Sequence, residues 1–252
     1  MLSKSQINLL KSLQHKKFRR EHGFFLVEGH KSIIEFINSD YQVDTVYHIS
    51  AFDPKVLKLS QKINLCEISV TELEKISSLK TPQDVVALVR MPQWPILEQS
   101  DLQGKFSLVL DGIQDPGNLG TIIRIADWFG MEHVICSEDT VDVYNPKVIQ
   151  ASMGSLARVR VHYINLYELL SSIHLPVFGA LLDGKNIYDV DFGTGGLVVM
   201  GNEGNGIRPE IQKLVSQAVT IPRVGKAESL NVAIATAIFC SEISRKMLAG
   251  NK

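Results

Sequence analysis

The chain has 252 residues, 45% of them hydrophobic and 21% charged, with a formal net charge of −1. This size and composition support a real hydrophobic core and exclude wholesale disorder, while the balanced charge excludes a polycation, so any nucleic-acid binding has to come from local patches. The length suits one small and one medium domain, and Cys66, Cys136 and Cys240, widely separated in apolar settings, read as free thiols in a reducing compartment.

Met1 to Leu13 has no signal-peptide core, and no run reaches the ~18 apolar residues of a membrane span. A cytoplasmic protein is expected. Ile7, Leu10 and Leu13 recur at threes and predict a helix over Ser3 to Leu13. Next come Lys16, Lys17, Arg19 and Arg20 with Phe18 between them and His15 and His22 at the flanks. Such a cluster is either a solvated charged turn or a phosphate-contacting patch, and the interleaved aromatic favours the patch. The histidines lack metal-ligand spacing, so no metal is expected.

From Phe24 the pattern alternates: strand Phe24–Val27, helix Lys31–Asn38, strand Val43–Ile49, helix Pro54–Ser60, strand Ile63–Ile68, helix Thr71–Ile76, strand Val85–Val89. Thr71 and Glu74 have the spacing of a capping box for the last of these helices. A compact α/β domain follows, best read as a recognition domain because it carries no catalytic constellation. The prolines Pro92 and Pro95 break the periodicity and mark a linker over 92–105. Beyond it Phe106–Leu110 is too apolar to have a solvated face, as in a parallel sheet covered on both sides. Further strands are expected near Val134–Cys136, Ala157–Val161, Val177–Leu181, Leu197–Met200 and Ala218–Ile221, with helices between most of them.

Three loops in this second part stand out. The first, Asp111 to Gly120, has the turn chemistry of Asp-Pro-Gly-Asn and leads into a helix from about Thr121 to Phe129. Arg124 lies early in it among Ile122, Ile123 and Ile125. A cation so placed must find a carboxylate, a phosphate or a subunit interface, and an internal pair with Asp127 or Asp115 is the rival. The second loop, Gly201 to Ile207, is glycine-rich at the end of a strand, where open α/β sheets bind ligands. Its order G-x-x-G-x-G is neither the dinucleotide fingerprint nor a P-loop, which disfavours a nicotinamide oxidoreductase. The third runs from Ile221-Pro222 through Glu228-Ser229-Leu230-Asn231 into an apolar helix, whose first amides Ser229 or Asn231 could cap. No His or Cys stands nearby to activate Ser229, so a hydrolase triad is disfavoured.

Together, Asp115-Pro116-Gly117-Asn118-Leu119-Gly120-Thr121-Ile122-Ile123-Arg124, Gly201-Asn202-Glu203-Gly204-x-Gly206, and Ile221-Pro222 with Glu228-Ser229-Leu230-Asn231-Val232 resemble the three ordered motifs of the SpoU (TrmH-type) RNA 2′-O-ribose methyltransferases of the SPOUT superfamily. Phe24 to Gly29 and Thr81 to Ala87 are similar to the L30-like substrate-binding domain that many members carry. The resemblance implies an α/β chain with an L30-like RNA-binding domain at 1–91, a linker at 92–105 and a trefoil-knotted methyltransferase domain with a parallel sheet at 106–252. It further implies S-adenosylmethionine as cofactor, held by backbone groups at Gly201, Ile221 and Leu230. Arg124, Asn118, Glu203, Ser229 and Asn231 would be the catalytic-site residues of a homodimer. Lys16, Lys17, Arg19 and Arg20 are the candidate RNA contacts. Ribosomal RNA is the favoured substrate, transfer RNA the second, and a non-catalytic RNA-binding or assembly factor the remaining alternative. Arg223 departs from the Met that the pattern favours, and Asn202 and Asn205 occupy variable positions.

Overall fold

The computed structural model describes residues 1–60 and 62–250. It divides into two units, Met1–Pro95 with Asp142–Ala157, and Ile96–Val141 with the chain from Arg158 onward.

The first unit opens with helix α1 (Lys4–Ser12), where Ser3 and Gln6 form a capping box, and helix α2 (Lys16–His22), which Gly23 ends at φ +70°. The basic cluster is therefore helical and not a turn. Strands β1 (Phe24–Glu28), β2 (Val43–His48), β3 (Asn64–Glu67) and β4 (Val85–Arg90) form a mixed sheet in the order β1-β4-β2-β3. Val85 to Val89 are all buried, as a central strand requires. Helix α3 (His30–Ile37) buries Ile33 and Phe36.

Two local expectations change here. Residues Pro54–Leu57 form only a short 3-10 turn, stopped by Lys58 at φ +49°. Helix α4 (Val70–Ile76) is capped by Ser69 with Glu72, two residues ahead of the expected Thr71–Glu74 box. Glu72 also accepts the Leu2 N–H at 2.7 Å, so this carboxylate closes the cap and anchors the start of the chain at once. The excursion 142–157 belongs to this unit as well: Tyr144 packs on Phe25 at 4.6 Å between centroids, and Asp142 takes the guanidinium of Arg19.

In the second unit, after the short helix α5 (Gln99–Leu102), strands β5 (Phe106–Asp111), β6 (His133–Cys136), β7 (Arg160–Tyr163), β8 (Val177–Asn186), β9 (Gly196–Gly201) and β10 (Gln217–Thr220) pair in the order β10-β8-β9-β5-β6-β7. Every pairing in it is parallel. All of β5 and β6 is buried, which bears out the reading of a sheet covered on both faces. Val109, Ile135 and Val199 pack with Leu102, Leu166, Leu170 and Ile211 on one side, from α5, α8 (Leu166–Ser172) and α9 (Pro209–Gln212). Each such buried aliphatic side chain contributes roughly 1.5–3 kcal/mol. Helices α6 (Pro116–Trp128) and α10 (Val232–Gly250) pack on each other, α6 also touching β6 and α10 touching β9. The remaining helix, α7 (Pro146–Ser152), lies in the excursion.

Because every strand of this sheet runs the same way, the loops that leave β5, β9 and β10 emerge at one end. Asp111 and Gly201 are register partners, so the first two loops begin side by side.

Candidate active site

The first loop is built around a buried charge. Asp111, its side chain fully buried at the end of an apolar strand, accepts from the Arg208 backbone N–H at 2.7 Å and from Arg208 Nε and Nη2 at 2.7 Å each. That contact holds the Arg208 guanidinium still more firmly in its charged form. Gly112 turns the chain at φ +72° and donates its N–H to Ser137 Oγ at 2.8 Å. Asp115 then accepts the Asn118 N–H at 2.8 Å, with Pro116 at the first helical position. The Asp-Pro-Gly-Asn stretch read as a turn is thus the cap and first turn of α6, which starts five residues earlier than expected for this reason.

The second loop is a tight return. Asn202 and Gly206 exchange backbone hydrogen bonds at 3.0 and 2.9 Å, and Asn202 Oδ1 accepts from Gly204 N at 2.9 Å and Asn205 N at 3.2 Å. A Cβ on Gly201 would lie 2.2 Å from the Gly206 carbonyl carbon, so only glycine fits. Asn202 Nδ2 reaches across to the Gly112 carbonyl at 2.6 Å.

The third loop is exposed from Pro222 to Asn231. Asn231 starts α10, its Oδ1 accepting from Ala233 N at 2.9 Å and Ile234 N at 3.3 Å. Of the two capping candidates it is Asn231 that caps. Ser229 makes no hydrogen bond among the described residues, and from Pro222 to Leu230 no amide makes a backbone–backbone hydrogen bond among them.

Side chains from all three loops then meet. Asn231 Nδ2 donates to Asn118 Oδ1 at 2.9 Å, and Asn118 Nδ2 donates to Glu203 Oε1 at 2.6 Å. The direction of this chain is fixed at both ends. A carboxylate only accepts, and the helix amides only donate, so each asparagine has one permitted orientation.

Arg124 is placed differently from expectation. Ile122 and Ile123 turn into the core, whereas Arg124 stands exposed on the face it shares with Thr121 and Trp128. Asp127 is bound to Arg158 at 2.8 Å and Asp115 caps α6, so both rival acids are engaged. Arg124 has no ion-pair or hydrogen-bond partner among the described residues. Its charge pays no burial cost, and a ligand or a second chain can use it.

In the first unit Lys16, Lys17 and Arg20 are exposed on α2, with Lys17 Nζ 5.7 Å from the Phe18 ring centre. Arg19 leaves the basic patch. It is 2% exposed, donates to the Leu13 and Gln14 carbonyls at 2.8 and 2.9 Å, and is paired with Asp142, so its donors are spent inside the protein. Two further features escaped the sequence reading: Asn202, which clasps the first two loops, and the Asp111–Arg208 pair. A lone acid closing the run Phe-Ser-Leu-Val-Leu-Asp was a usable signal for the pair, since a buried charge demands a partner.

The description "SpoU rRNA Methylase family" matches residues 105–241, and "MRM3-like substrate binding domain" matches residues 4–87. The chain is 30% identical over 234 residues to the 23S rRNA (guanosine(2553)-2′-O)-methyltransferase RlmP of Bacillus subtilis, covering 90% of this chain and 91% of that one. It superposes on a TrmH-family protein from Porphyromonas gingivalis with TM-score 0.88 and 39% identity, over 98% of this chain and 99% of the other. It also superposes on the SpoU methyltransferase AviRb of Streptomyces viridochromogenes, solved with AdoMet, with TM-score 0.85 and 25% identity, over 98% and 99% of the two chains.

Proposed function

The chain belongs to the SpoU rRNA methylase family, and on that premise we propose its activity: it transfers the methyl group of S-adenosylmethionine to a ribose 2′-hydroxyl of RNA, with 23S-type ribosomal RNA favoured over transfer RNA. The observation that carries the reading is the Asn231–Asn118–Glu203 chain, which joins one side chain from each of the three loops at one end of the sheet.

The residues fit the cofactor. Gly201 ends β9 and Ile221 follows β10, both parallel strands, while Leu230 lies just before α10, and no N–H from Arg223 to Leu230 makes a backbone–backbone hydrogen bond among the described residues. S-adenosylmethionine supplies a methyl already activated on sulfonium. What remains for the protein is to hold the acceptor ribose in line and to let one proton leave. Asn118, Glu203, Ser229 and Asn231 supply polar groups on the reaction side of this site. Arg124 clamps the phosphate next to the acceptor ribose and polarises its hydroxyl. It is not the base, because a guanidinium is always charged in proteins and does not give up its proton.

The active unit is a homodimer whose sites draw on both subunits. The mutually packed α6 and α10 support this, since they leave Trp128, Ile234 and Leu248 at 83%, 54% and 72% exposure, and Arg124, without a partner among the described residues, stands on the same face of α6 as Trp128. The C-terminal segments follow the threaded crossing that the family resemblance implies. Lys16, Lys17 and Arg20 contribute to RNA binding through the phosphate backbone.

Incubating the protein with methyl-labelled S-adenosylmethionine and unmodified ribosomal or transfer RNA, then digesting to nucleosides, tests the reading. A labelled 2′-O-methyl nucleoside from ribosomal RNA is expected. Label on a base, label only in transfer RNA, or no label with confirmed absence of S-adenosylmethionine binding would overturn its corresponding part.

A further inference from the structure

We propose that Asn202 is a positioning residue for methyl transfer, acting through its neighbour Glu203. The proposal rests on the reading above and deepens it.

Glu203 itself is exposed, on a return of the chain that its own bond to Asn118 and the side chain of Asn202 tie to the first loop. Asn202 spends its amide on both tasks that fix it. Its Oδ1 accepts the Gly204 and Asn205 amides at 2.9 and 3.2 Å, which sets the shape of the turn carrying Glu203. Its Nδ2 donates to the Gly112 carbonyl at 2.6 Å, which sets the turn's place against the first loop. Shaping a turn needs only the first of these. The second closes a ring: Gly112 leads into α6, α6 carries Asn118, Asn118 donates to Glu203, and Glu203 is bonded in sequence to Asn202. Arg208 at the far end of the loop is pinned to Asp111, so Glu203 hangs between two anchors that both lie in the first loop. Of these, only the Asn202 anchor is adjacent to the carboxylate. A carboxylate displaced by about 1 Å from its working position loses on the order of 100-fold in rate, and Asn202 is what prevents that displacement.

The test is a double-mutant cycle in the full-length protein with saturating S-adenosylmethionine and its RNA substrate. Asn202→Ala should lower kcat by on the order of 100-fold, Glu203→Gln should lower it at least as much, and the double variant should be no slower than Glu203→Gln alone. Losses that multiply in the double variant would show that Asn202 does not act through Glu203 and would overturn the proposal. Asn202→Asp gives a second check, because it keeps the acceptor for Gly204 and Asn205 and replaces the donor to Gly112 with an oxygen. It should retain slow amide hydrogen exchange at Gly204 and Asn205 in the free protein, which Asn202→Ala loses, and yet be as slow in turnover as Asn202→Ala. Wild-type turnover in Asn202→Asp would sink the clasp to Gly112. If the wild-type chain transfers no methyl to any RNA, the underlying function falls; if it does and the cycle is multiplicative, only the role of Asn202 falls.

Discussion

Removing either partner of the Asp111–Arg208 pair should cost very different amounts, although the same contacts are lost. Asp111 has a side chain with 0% exposure, whereas that of Arg208 is 43% exposed. Arg208→Ala strands a carboxylate in the protein interior with only the residue-208 backbone N–H as donor among the described residues, and breaking a buried pair in that way costs about 3–5 kcal/mol. Asp111→Asn leaves the cation able to turn to water and keeps an oxygen for the backbone amide, so the loss is that of charge-assisted hydrogen bonds, about 1.5–3 kcal/mol at most. The double variant Asp111→Asn with Arg208→Ala should then be more stable than Arg208→Ala alone. Urea unfolding followed by far-ultraviolet circular dichroism, with thermal melts alongside, measures all three. At about 2–4 °C per kcal/mol for a chain of this class, Arg208→Ala should lower Tm by roughly 6–20 °C. An Asp111→Asn variant less stable than Arg208→Ala, or a double variant no more stable than Arg208→Ala, would refute the reasoning.

Other perturbations separate further roles. Arg124→Ala and Arg124→Lys should both lose most turnover while leaving S-adenosylmethionine binding intact by titration calorimetry, because Lys lacks the bidentate fork; near-normal turnover in either would dismiss the phosphate clamp. Replacing Lys16, Lys17 and Arg20 with Gln should weaken RNA binding and flatten its salt dependence in filter-binding assays, whereas Arg19→Gln should instead lower Tm through the lost Asp142 pair. His133 Nδ1 and His162 Nε2 lie 3.1 Å apart, and burial, reinforced by the neighbouring imidazole, pushes His162 down to about 4. A base with a depressed folded pKa contributes stability that is complete above its ordinary value of 6.5 and drains away as pH falls towards 4. Denaturation midpoints should drop across that window, and His162→Gln should lessen the drop; an unchanged slope would exclude the pair as its source.

The fold was legible where hydrophobic period and chain chemistry agreed. A run such as Phe106 to Leu110, buried at every position, can only be an interior parallel strand, and so it is. Errors came where two short-range rules competed. Ser69 and Thr71 both offered caps three residues ahead of a glutamate, and the fold chose the one whose glutamate could also bind Leu2, a contact 70 residues away that no local window contains. Lys16 to Arg20 looked like one cationic surface because charge was visible and helical phase was not: α2 turns Arg19 inward to Asp142, 123 residues on, and leaves its neighbours outside. The same phase error ran the other way at Arg124, which neighbouring isoleucines suggested was buried and which the helix presents to solvent. The motif residues were legible as a set, but the bonds among them were not, since each spans from 85 to 113 residues.

The helix start at Asn231 and the carboxylate of Glu203 lie in different loops, yet the orientation of each amide between them is dictated by both. Suppose Asn231 became Asp. The helix cap survives, because Asp and Asn cap about equally well, and α10 loses little. The donor to Asn118 is gone, however, and the new oxygen facing Asn118 Oδ1 repels it. Asn118 relieves that clash by rotating its amide, which turns its oxygen towards Glu203 and places acceptor against carboxylate where a 2.6 Å hydrogen bond had been. Asn231→Asp should therefore unfold at nearly the wild-type temperature and transfer methyl groups far more slowly, while Asn231→Ala loses the cap as well and about 1 kcal/mol of stability with it. Equal turnover in wild type and Asn231→Asp, measured beside their melting curves, would mean that the polarity of the amide chain has no part in catalysis.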